Sequence, residues 1–281
     1  MLKRILTAIV AIALLLPVLY FSNTVIFPVV IALCTLIGVF EMLRCTGMLR
    51  HLLLSIPSFL LSVCFPLLSW YYMTSGKDNF QEIAVLTVTG MAFYLFAVLT
   101  FSHGKLHLNE ISITFLTVFY IIAAFTALVT LRYRTTDGKY LYLICFIGAW
   151  VTDTFAYFCG RFFGKHKLIP EVSPKKTIEG SIGGILFCVA VMALYGWVVQ
   201  KHSGGTVVPN YLVLCLSGVA ISLVSQVGDL LMSVVKRTYG IKDYGKLFPG
   251  HGGILDRFDS VMAVAIVLSI ICMLGDPFLI V

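Results

Sequence analysis

Charge is what this chain has least of. Only 12% of its 281 residues are Asp, Glu, Lys or Arg, and thirteen are acidic, while 59% are hydrophobic and mean hydropathy is +0.99. Such a balance excludes an ordinary soluble domain. The eight cysteines form no CxxC pair, which argues against a zinc site or a disulfide framework. Most fall in apolar stretches, where a free thiol behaves as a small hydrophobe. Internal repeats and low-complexity segments are lacking. The opening "MLKRILTAIVAIALLLPVLYFS" has no small-x-small cleavage site after it, so it is expected to remain as a first span.

Long apolar runs, by contrast, are abundant. A bilayer is crossed by about 20 apolar residues in a helix. Runs of that length are read over 3–21, 24–43, 51–73, 82–102, 111–131, 140–162, 180–200, 211–235 and 257–275. The fold class is therefore all-α, a polytopic integral membrane protein with about nine transmembrane helices. With nine spans, fifteen of the twenty basic residues share one side with the N-terminus. The positive-inside rule makes that side cytoplasmic, in the cell's inner (cytoplasmic) membrane. A net charge of +7 follows from this topology, and nucleic-acid binding is not expected. Residues 1–140 are spans with short loops, a transmembrane scaffold. Residues 141–281 form a catalytic half, where polar groups enter the spans and the loops become dense with charge.

Ionisable residues within spans are costly and point to function. Asp153 and Asp229 each lie eight residues before an arginine that ends a span, about 12 Å below the membrane edge at 1.5 Å per residue. Asp256 and Asp259 sit at the start of the last span, on the same side. Carboxylates from three helices are thus expected near one depth, in a cleft open to the cytoplasm. Asp229, Ser233, Lys236 and Arg237 share one helical face. Carboxylates beside cations suit Mg²⁺ with phosphates, since magnesium takes one or two carboxylates plus phosphate oxygens and lysine and arginine balance the remaining charge.

The stretch "KDYGKLFPGHGGILDRFD", Lys242 to Asp259, gathers three basic residues, three aspartates, a histidine and four glycines. Gly252 and Gly253 allow backbone amides to approach an anion, and His251 can donate to a phosphate. Taken alone, "FPGHGG" reads as a plain turn; its charged flanks argue otherwise. In "EVSPKKTIEGSIGG", Ser173 is expected as an N-cap and Pro174 as the first helical residue. Lys175 and Lys176 would then oppose the helix dipole unless a phosphate bound there. Membrane anchoring explains either lysine singly just as well.

The stretch "SVVKRTYGIKDYGKLFPGHGGILDRFD", Ser233 to Asp259, resembles the signature of CDP-diacylglycerol synthases (phosphatidate cytidylyltransferases) and departs from it nowhere. "DTFAYFCGRFFGKHKL", "SPKKTIEG" and Gly228-Asp229 are similar to the same family. The motif-level likeness covers roughly residues 150–260. It implies that CTP and phosphatidic acid yield CDP-diacylglycerol and pyrophosphate, with Mg²⁺ and room for a second cation. Asp229 and Asp256 are the first-rank metal ligands, Asp259 and Asp153 the second. Lys236, Arg237, Lys242, His251 and Arg257 are assigned to phosphates, Asp243 and Ser233 to orienting them. Lys175, Lys176, Gly252 and Gly253 complete the substrate-binding set. The expected partners are CTP, phosphatidic acid and the bilayer, with a homodimer as the candidate assembly. A membrane transporter is the alternative, since it too buries carboxylates, although no repeat is seen. The DGxxAR-type pattern of CDP-alcohol phosphotransferases is absent.

Overall fold

The computed structural model describes residues 13, 15–77, 79–134, 137–248, 250 and 252–280. Among them, eight helices are long and apolar enough to cross a membrane. These are α1 (Ile26–Cys45), α2 (Leu52–Ser75), α3 (Phe80–Phe101), α4 (Leu108–Tyr133), α5 (Gly138–Phe163), α6 (Ile178–His202), α7 (Tyr211–Thr238) and α8 (Leu255–Leu274). Each coincides with an apolar run of the sequence to within a few residues. The run over 3–21 lies largely outside the described residues; 15–20 is helical.

The non-helical pieces are small. β1 (Lys167–Ile169) pairs antiparallel with β2 (Ser173–Thr177), and β3 (Val207–Pro209) pairs antiparallel with β4 (Phe278–Ile280). Ser173-Pro174 therefore does not start a helix. The chain stays extended to Thr177, whose side chain caps α6 by accepting from Gly180 N at 3.1 Å. This start suits the dipole better: it puts Glu179 in the first turn and leaves Lys175 and Lys176 outside the helix.

The chain divides into two compact units, Met1–Tyr133 with Ile241–Asp256, and Arg134–Gly240 with Arg257–Val281. In the first, Phe27, Val39 and Leu43 of α1 and Ile121, Phe125 and Leu128 of α4 are fully buried. Leu255 packs against the open face of Gly38. The polar loop after Gly240 folds onto this apolar body. In the second, Leu141, Ile144 and Ala149 of α5, Met192 of α6, Ile221 of α7 and Val264 of α8 make the core. Phe155 stacks on Phe187 with ring centroids 3.9 Å apart, fastening α5 to α6. Large apolar side chains stay exposed along the helices, such as Phe93 at 77% and Leu212 at 71%. Lipid tails solvate such a surface at no cost, whereas water would penalise it. All eight cysteines are free thiols.

Candidate active site

Three helices of the second unit each bring a carboxylate to one region: Asp153 from α5, Asp229 from α7 and Asp259 from α8. Asp229 lies within electrostatic reach of both others. Each is held by a hydroxyl or an amide. Ser260 Oγ donates to Asp153 Oδ2 at 3.3 Å, Ser233 Oγ to Asp229 Oδ1 at 3.4 Å, and Ser260 N to Asp259 Oδ1 at 2.8 Å. The Ser233 bond is the i, i+4 neighbour relation that the spacing implies.

Close packing of α7 on α8 makes this convergence possible. A Cβ on Gly228 would lie 2.6 Å from Ala263 Cβ and 2.9 Å from the Asp259 carbonyl oxygen. Only glycine lets the two backbones approach beside Asp229.

Lys176 reaches in from β2. Its Nζ is 2.7 Å from Asp229 Oδ2 and donates to the Gln226 carbonyl oxygen at 3.3 Å. Strand alternation leaves Lys175 exposed where Lys176 is half-buried. Both line a cleft of about 280 Å³ with Asp153, Tyr157, Arg161 and Asp229. Arg161 Nη1 donates to Tyr157 Oη at 3.0 Å. Lys236 lies in the field of Asp259, and Arg257 in that of Asp153. Arg237 is exposed at the end of α7. Beyond the cleft, Phe158, Phe162 and Phe163 are exposed on the same helix end.

The remaining assigned residues belong to the first unit. Asp256 is 7% exposed, and its Oδ2 accepts from Tyr244 N at 2.8 Å and Gly253 N at 2.9 Å. Its carboxylate thus ties the two ends of the loop together, a task that the motif spacing did not reveal. Gly252 takes a left-handed φ of 85°, which favours glycine. Lys242 and Asp243 are exposed on the loop. His251 lies outside the described residues. The residues that sequence reasoning missed are Glu41 and Arg44 of α1, which bond to this loop. A lone Glu in an otherwise apolar span was the available signal.

Among the described residues, no three His, Cys, Asp or Glu side chains close around one metal position. The acidic groups are all oxygen donors on separate helices, with a lysine beside them. That set fits magnesium shared with phosphate oxygens and not a closed protein cage.

The chain matches the family described as "Cytidylyltransferase family" over residues 2–274. It is similar to proteins named phosphatidate cytidylyltransferase. The one from Staphylococcus haemolyticus is 34% identical over 270 residues, covering 95% of this chain and 97% of that protein. One from Staphylococcus epidermidis is 35% identical over 271 residues, with the same coverage. One from Staphylococcus aureus is 35% identical over 272 residues, again covering 95% and 97%. The chain belongs to the cytidylyltransferase family.

Proposed function

We propose that this member of the cytidylyltransferase family is a CTP:phosphatidate cytidylyltransferase, making CDP-diacylglycerol and pyrophosphate in phospholipid biosynthesis. The observation that carries the reading is the joining of carboxylates and cations in one cleft among membrane helices, Asp153, Asp229 and Lys176 foremost. A nucleotide alone would not require a membrane fold, and a lipid alone would not require so many groups suited to phosphates. Nothing in the fold or among the relatives favours the transporter alternative.

The lipid phosphate oxygen attacks the α-phosphorus of CTP, and the bond from that phosphorus to the β-phosphate oxygen breaks. Pyrophosphate leaves with its electron pair. A phosphate monoester has a second pKa of about 6, so the nucleophile carries its charge without a strong general base. The work left to the protein is to hold anions in line and steady the leaving charge. Lys176, Lys236, Arg237 and Arg257 supply positive charge; Lys242 and His251 of the loop are named for phosphates by the family signature alone. Lys175 adds charge at the mouth of the cleft. Ser233 orients Asp229, and the family signature gives Asp243 a like role on the loop. Asp229, with Asp259 and Asp153, would hold Mg²⁺, which would neutralise phosphate charge when bound; Asp256 is named for the same role by the family signature alone. The exposed phenylalanines at the end of α5 leave an apolar flank for acyl chains that remain in the bilayer. The charge asymmetry of the loops supports an inner-membrane protein whose reaction faces the cytoplasm.

The test is product formation by the purified protein given phosphatidic acid, Mg²⁺ and each nucleoside triphosphate in turn. CDP-diacylglycerol formed from CTP supports the reading. Absence of any lipid-nucleotide product from folded protein overturns it.

A further inference from the structure

We infer that Glu41 and Arg44 of α1 are positioning residues for the polar loop 241–256, and that Glu41 is the reason two of its glycines must be glycine. The loop's task is taken from the cytidylyltransferase reading; the contacts stand apart from it.

Glu41 lies in a membrane-crossing helix and is 3% exposed, a costly place for a carboxylate. Two amides compensate it. Ile254 N donates to Oε1 at 3.1 Å and Leu255 N to Oε2 at 3.0 Å. These N–H groups open α8, where helix amides lack intrahelical acceptors and the dipole end is positive. A carboxylate more than 200 residues away in sequence therefore caps the helix that carries Asp256 and Asp259.

Arg44 stands one turn along α1 and holds the other end of the loop, donating through Nη2 to the Tyr244 carbonyl oxygen. Tyr244 is 1% exposed, and its amide donates to Asp256. Its peptide groups are thus gripped through both N–H and C=O.

The glycines complete the cradle. A Cβ on Gly253 would fall far inside van der Waals contact with the Glu41 carboxylate, whose atoms are the nearest obstruction. Gly245 meets the same carboxylate. Neither takes a positive φ, so size and not backbone freedom selects glycine at both. Lys242, Asp243 and Lys246 remain exposed on this anchored backbone. Displacing such groups by ~1 Å costs on the order of 10²-fold in rate.

The experiment uses the full-length protein in detergent, with Glu41→Gln, Gly253→Ala and Gly253→Ala combined with Glu41→Asp. Readouts are kcat, KM for both substrates, thermal unfolding, and tryptic cleavage at Lys242 and Lys246. Glu41→Gln keeps the shape of the side chain but puts an NH2 donor where one of the two acceptor oxygens is needed. It is expected to lower kcat by about 10–100-fold with KM changed by less than about threefold, the pattern of lost transition-state positioning. Cleavage at Lys242 and Lys246 should rise several-fold without loss of the folding transition. Gly253→Ala should do the same, and Glu41→Asp, shorter by one methylene, should restore part of its kcat. Wild-type kcat together with wild-type cleavage in Glu41→Gln overturns the inference. If that variant does not fold, the same result in Gly253→Ala overturns it. Released cleavage in Glu41→Gln, with no CTP turnover by the wild type, leaves the positioning role standing and removes the cytidylyltransferase reading.

Discussion

Lys176 Nζ lies 2.7 Å from Asp229 Oδ2, a bond that ties the strand before α6 to the middle of α7. The pair is partly exposed, with 23% and 30% of the two side chains open to the cleft. An ion pair so open contributes little to stability. Its value lies in holding a cation and a carboxylate oxygen at one point, ready to share between protein and phosphate.

Replacing Lys176 by Met should therefore cost activity much more than stability. We expect kcat/KM to fall about 10²-fold, as when one preorganised donor at developing charge is removed. Lys175→Met, on the opposite side of the strand, should cost less than about 10-fold on the same scale. Steady-state kinetics with CTP varied checks both. Equal losses would contradict the assignment of Lys176.

Gly228→Ala should damage fold and site together. The added methyl would press on Ala263 Cβ and the Asp259 carbonyl. Overpacking of this kind costs about 1–3 kcal/mol. A lowered thermal midpoint in detergent, accompanied by loss of turnover, is the expected outcome.

Asp256 and Asp259 should fail differently, although they stand one turn apart. Asp256→Asn replaces the oxygen that takes the Tyr244 and Gly253 amides, so tryptic cleavage at Lys242 and Lys246 should rise as activity falls. Asp259→Asn should abolish turnover with the wild-type cleavage pattern, because its bonded amide is that of Ser260 on its own helix. Limited proteolysis beside an activity assay separates the two.

Thr177→Ala should remove the cap of α6, costing about 1 kcal/mol. Thr177→Ser should retain most of it. Thermal unfolding of the two variants compares them directly.

The membrane helices were legible because each is an apolar run long enough to cross a bilayer, and a run of that kind has few alternative structures. Asp153, Asp229 and Ser233 were legible for a related reason: polar groups in oil stand out, and helical periodicity says which share a face. Around Ser173 the sequence suggests a helix start, and the structure has a strand there instead. Ser-Pro is a good local start for a helix, but Thr177 followed by Glu179 competes for the same role with the helix dipole in its favour. Glu41 was missed because residue spacing cannot show a partner more than 200 positions away. The sequence suggests Gly252 and Gly253 as phosphate contacts, and nothing local marks Gly245 and Gly253 as the walls of a carboxylate slot.

The most direct measurement is pyrophosphate release from CTP and phosphatidic acid by the purified protein with Mg²⁺, run beside Asp229→Asn and beside the wild type in EDTA. The account predicts lipid-dependent release by the wild type that both EDTA and the substitution abolish. Release that survives Asp229→Asn or EDTA, or no release by folded wild-type protein, would contradict it.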